Sequence, residues 1–212
     1  MKKLLLIFIF SQFASCQYKP DNKAVELVKE ANEIGAKSFY KDSIENDKAL
    51  KLIDKAIKIN DEYLSAYRSK AIFLYAKKDI EGLIENNLKI IELRPNQPMW
   101  KIQRGLLLEI KGDKIKAQES YKLGLKEYEE LLKKKEMNKN FNFRIEYISA
   151  LEANENLNQG KVEMQKLRRD FPENEMVQSY LKIYKLKTKS ELISLWKNEE
   201  TDVEVSTAHN RL

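Results

Sequence analysis

The sequence predicts an all-α fold: an α-α superhelix of about four helical hairpins, closed by a C-terminal capping helix. Three observations predict it. Paired helical patterns fill the middle of the 212-residue chain. They break at short polar turns such as Lys78-Asp79 and stop at prolines such as Pro95, which cannot continue a helix. The paired unit then recurs along the chain at 34 residues.

The first segment is an address. Lys2 and Lys3 precede an apolar run from Leu4 to Phe10, followed by small residues around Ala14 and Ser15. This is the layout of a secretory signal over residues 1–15, and the run is shorter than the ~20 residues a membrane span needs. Phe13-Ala14-Ser15-Cys16 resembles the lipobox of bacterial lipoproteins, with Phe13 where leucine is usual. The resemblance implies that Cys16, the only cysteine, becomes the first mature residue and carries a diacylglycerol. The alternative is an ordinary cleaved signal cut after Cys16, with Ala14 at the −3 position. Residues 16–29 are then a lipid-anchored linker and helical lead-in, with Asp21 as an N-cap behind Pro20.

The hairpins follow as residues 30–63, 64–97, 98–131 and 141–174, together spanning 30–174. Small residues mark the helix crossings: Ala71 and Gly105 at one, Ala49, Ala117 and Gly160 at the other. Tyr40 is expected on the first helix of its hairpin and Tyr121 on the second of its own. Residues 132–140 are a helix end and a loop. These positions resemble the tetratricopeptide repeat (TPR), most closely in the second and third copies. Leu83, Asn87, Lys37 and Ile148 depart from that pattern.

Residues 175–199 are read as C-terminal capping helices. The stretch MVQSYLKIYKLK has helical apolar spacing, and Thr188 with Glu191 forms a capping box before an amphipathic ELISLWK. Residues 200–212 lack periodicity and are expected to be a flexible tail.

Composition excludes most chemistry. With Cys16 lipidated no thiol remains for catalysis or for a metal, and the one histidine, His209, lies in the tail. The six glycines are scattered singly, so no phosphate loop forms. The net charge of +6, two lower without Lys2 and Lys3, is spread over Lys/Glu surfaces and points to no nucleic acid. The expectation is a non-enzymatic scaffold with no cofactor and no metal. It would be held in the bacterial cell envelope, at the outer membrane, by lipid on Cys16. The resemblance to TPR proteins implies a concave groove lined by first helices, binding a partner protein, peptide or helix through Arg68, Ser69, Ile72, Tyr75, Gln103, Leu106, Glu109 and Ser149. Two alternatives stand beside it. One is a glycan-binding uptake lipoprotein, for which two tryptophans are few; the other is a carboxylate-dependent enzyme. Asp42-Ser43-Ile44 also resembles an O-glycosylation site of some bacterial envelope proteins; a solvated turn is the better account of it.

Overall fold

A computed structural model describes residues 20–38 and 40–197. The signal segment, Cys16, His209 and the expected tail lie outside the described residues. All regular elements among these residues are helices: α1 (Asn22–Ser38), α2 (Ser43–Ile59), α3 (Leu64–Ala76), α4 (Ile80–Leu93), α5 (Pro98–Lys111), α6 (Lys114–Leu132), α7 (Lys135–Asn138), α8 (Phe141–Ala153), α9 (Leu157–Asp170), α10 (Glu175–Ile183) and α11 (Lys189–Lys197). Four hairpins result: α1–α2, α3–α4, α5–α6 and α8–α9. Each also packs on the next, so the chain is a solenoid whose core is a series of adjoining apolar clusters. First helices abut in two places, α1 on α3 and α5 on α8, and the side of the solenoid that the first helices present is termed here the A face.

The last three hairpins turn in the same way. A residue in left-handed geometry, Lys78 (φ 56°), Gly112 (φ 96°) or Glu155 (φ 59°), ends the first helix. The next residue, Asp79, Asp113 or Asn156, donates its backbone N–H to Leu74, Leu108 or Leu151 respectively, five residues back, at 2.8–2.9 Å. This is the Schellman closure of a helix C-terminus. The same residue's side chain then accepts from a backbone N–H in the first turn of the second helix: Gly82, Lys116 and Gln159. One residue thus closes one helix and starts the next, which fixes the hairpin angle.

In the third hairpin small residues stand where the two helices meet. Gly105 faces the Tyr121 ring, and a Cβ there would stand 2.5 Å from Cδ1. Ala117 is fully buried, whereas Gly160, expected at the crossing of the last hairpin, is met by Leu186 from beyond that hairpin and by no atom of α8.

The first hairpin departs from the sequence register. Helix α1 starts at Asn22, where Asp21 accepts from Lys23 N–H and Ala24 N–H, so the expected lead-in and the first helix are one element. That helix ends at Ser38. Tyr40 is therefore a turn residue, at φ 59°, with its N–H on the Gly35 carbonyl. Helix α2 has 17 residues against 14 in α4, and its N-cap is Asp42. Counting four residues from each N-cap, Asn46 occupies the crossing position of Leu83, Ala117 and Gly160; Ala49, placed there by a strict 34-residue step, lies three residues further on. Asp42 accepts from Ile44 N–H and Glu45 N–H, which gives the Asp42-Ser43-Ile44 stretch a capping role, with Ser43 exposed.

Candidate functional site: the A face and the helix across it

The C-terminal elements do not both cap the last hairpin. Helix α10 does: Val177 and Leu181 close a cluster with Ile148 and Leu167. The expected helical run then stops at Ile183, and residues 184–188 form a strap. Glu152, on α8 and only 1% exposed, holds this strap. Its carboxylate accepts from the Tyr184 hydroxyl and from the Lys187 backbone N–H, both at 2.7 Å. Burial, then the Glu152 partnership, raises the Tyr184 hydroxyl well above the usual tyrosine range. A buried carboxylate is tolerable here because both oxygens are hydrogen-bonded.

The strap aims the chain back across the A face. Thr188 and Glu191 start α11 with a reciprocal capping box: Thr188 N–H to Glu191 Oε2 at 2.6 Å, Glu191 N–H to Thr188 Oγ1 at 3.2 Å. Helix α11 then lies over α8, α5 and α3. Lys189 Nζ sits 3.2 Å from Glu109 Oε1 on α5 and 3.5 Å from Glu155 Oε2 at the end of α8. It also stands 5.7 Å from the centre of the Tyr121 ring. Leu192 and Trp196 pack on the central cluster that contains Leu74, Leu108, Tyr121 and half-buried Leu106. Trp196 meets Tyr75 edge-on at 4.9 Å between ring centres, and the Tyr75 hydroxyl donates to the Trp196 carbonyl at 3.3 Å.

The eight residues read from the sequence as groove positions divide accordingly. Tyr75 and Glu109 hold α11 directly, and Leu106 belongs to the cluster beneath it. Ser149 neighbours the Tyr184 hydroxyl at the strap. Ser69 is 7% exposed and lines a cleft of 580 Å³ between α1 and α3, with Val25, Asn32 and Ser65. Ile72 is 45% exposed on the same face. Arg68 lies 5.8 Å over the Trp100 ring, and Gln103 accepts from the Asn87 side chain at 3.2 Å, so both already have internal partners. The sequence reading missed Glu152, Glu155, Lys189, Leu192 and Trp196 as parts of this face. For Leu192 and Trp196 the signal was the amphipathic ELISLWK, which spacing alone could not direct to α3 and α5; Glu152, Glu155 and Lys189 lie outside that stretch and carried none.

Both tryptophans are engaged, Trp100 with Gln97 and Arg68 and Trp196 with Tyr75, which leaves neither indole as an open sugar platform. Among the described residues no group of three or more His, Cys, Asp or Glu is placed to hold a metal, and no helix is long and apolar enough to cross a membrane.

The fold and its A face define the class: an all-α solenoid of helical hairpins with a short amphipathic helix lodged across its first helices. Among solved structures, the chain is similar to a MamA double mutant at 18% identity, with 85% of this chain and 88% of that one covered and a TM-score of 0.47. It is also similar to YrrB, a TPR protein with an unusual peptide-binding site, at 16% identity, 84% and 79% coverage and a TM-score of 0.45. No protein-family profile and no curated protein matches the chain.

Proposed function

We propose that the chain is a non-enzymatic TPR scaffold of the bacterial cell envelope. It is anchored through lipid on Cys16 and binds a partner protein through the A face. One observation carries the binding reading: the A face already holds a short helix, α11, through an ion pair, an aromatic contact and an apolar patch. The fold and the exposed Ile72 and Tyr75 support it, since exposed aromatic and apolar side chains are what interface anchors are built from. The N-terminal pattern supports the anchor.

The test is in cells. A photo-crosslinking residue at Ile72, on the open part of the face, should capture a defined envelope protein. The same probe at Lys114, on the exposed start of a second helix, should not. Equal capture at both positions, or none at Ile72, overturns the reading.

A further inference from the structure

Helix α11 has the properties of a ligand more than of a core element. None of its nine residues is buried, whereas α1 to α6 and α8 to α10 all contribute buried residues. A nine-residue helix has little stability alone, so its helicity depends on the surface it rests on. Three of its contacts with the solenoid line up as one stripe. Lys189, Leu192 and Trp196 are three and seven residues apart and so share one helical face. The receiving face is complementary at each point: two carboxylates from different elements for the cation, the central apolar cluster for the leucine, and the Tyr75 edge for the indole.

We propose that α11 is an internal stand-in for the partner. The A face is a receptor for an amphipathic helix of a partner protein, with a lysine or arginine in its first turn, a leucine three residues on and an aromatic residue seven residues on. That helix binds by displacing α11. The proposal rests on the protein-binding reading above and names the chemistry of its partner. The covalent link keeps α11 at high effective concentration beside the face. An external helix therefore binds with an affinity reduced by the fraction of chains in which α11 is undocked.

A fluorescent synthetic peptide of residues 187–197, KTKSELISLWK, probes this against the full chain. Leu192→Ala/Trp196→Ala removes the anchors of the internal helix. Lys189→Glu, a second variant, sets a carboxylate against Glu109 and Glu155 while leaving the apolar packing intact. Both variants should bind the peptide at least tenfold more tightly than the unaltered chain. Replacing lysine by glutamate at the peptide's third position should weaken binding to the double variant at least tenfold. Equal affinity for all three chains, no binding to either variant, or indifference to the peptide's charge overturns the proposal. So does concentration-dependent dimerisation of the unaltered chain that either variant abolishes, because α11 would then be exchanged between copies. If the peptide result fails while Ile72 still crosslinks to an envelope protein, the scaffold reading stands and only this inference falls.

Discussion

Gly105 is the sharpest test of the hairpin crossing. In a helix interior, alanine is favoured over glycine by about 1 kcal/mol. At an unconstrained site Gly105→Ala would therefore stabilise the chain. Here the added Cβ would lie 2.5 Å from Tyr121 Cδ1 and 3.0 Å from Cζ. The ring cannot swing away. Tyr121 is fully buried among Leu74, Leu108, Leu125 and Tyr128. Overpacking of this kind costs about 1–3 kcal/mol, so the net expectation for Gly105→Ala is a loss of about 1 kcal/mol. Gly105→Leu, with three more carbons to place, should lose about 3 kcal/mol. Urea unfolding followed by far-UV circular dichroism reads both. The melting temperature should fall by roughly 2–4 °C for each kcal/mol. A double-mutant cycle isolates the cause: with Tyr121→Leu in place, Gly105→Ala should become stabilising by about 1 kcal/mol, a coupling of about 2 kcal/mol. If Gly105→Ala stabilises the unaltered chain and shows no coupling to Tyr121, the crossing does not depend on the missing side chain.

Four other outcomes follow from the same geometry. Gly112→Ala meets no neighbouring atom, yet it should cost about 1 kcal/mol because φ is 96°, whereas Lys78→Gly at φ 56° should gain about 0.5–1 kcal/mol; thermal melts give both signs. Burial raises the Glu146 carboxyl against the opposing Tyr128 hydrogen bond, so the folded chain loses stability as pH rises from the unfolded value near 4.5 through the raised folded value. Glu146→Gln should therefore match the unaltered chain below about pH 4 and be the more stable of the two at pH 7 in urea titrations. Arg144, with its side chain 4% exposed between Asp170 at 2.6 Å and Glu163 at 3.8 Å, should cost about 3–5 kcal/mol as Arg144→Met, because Glu163 is left nearly buried and unneutralised from that side. Cys16→Ala should move the protein from the membrane to the soluble fraction, and retention in the membrane would reject lipid anchoring.

The hairpins from residue 64 onward were legible because one device recurs there. Leu74, Leu108 and Leu151 each stand five residues before an Asp or Asn that both closes one helix and caps the next. That spacing is local, so it survives without knowledge of the fold. The first hairpin hid its register for an equally local reason. Helix α1 is longer than α3, α5 and α8, and α2 is longer than α4 and α9, so a fixed 34-residue step carries Tyr40 into a helix that has already ended at Ser38. Extra helical turns leave the apolar period unchanged, so periodicity alone cannot reveal them.

The position of α11 was illegible for a different reason. Its amphipathic pattern says that one face must be covered, and Thr188 and Glu191 say where the helix begins. Neither says which surface covers it. That choice is made by Glu152, a carboxylate in a helix that otherwise reads as core, through the Lys187 N–H and the Tyr184 hydroxyl. Glu152→Gln keeps the side chain's shape and one acceptor oxygen but removes the charge and one acceptor, so it should loosen the strap without opening a cavity. The cluster around Phe73 lies on other helices, and the cluster around Tyr121 takes Leu151 and Ala153 from α8 through side chains that the substitution leaves unchanged, so both should hold. Backbone amides of α11 should then exchange with solvent at least tenfold faster, while those of α3 and α5 remain protected. If α11 exchanges no faster than before, the three anchors on the A face hold it without the strap. If α3 and α5 lose protection together with α11, the helix is part of the cooperative core and cannot act as a separable ligand.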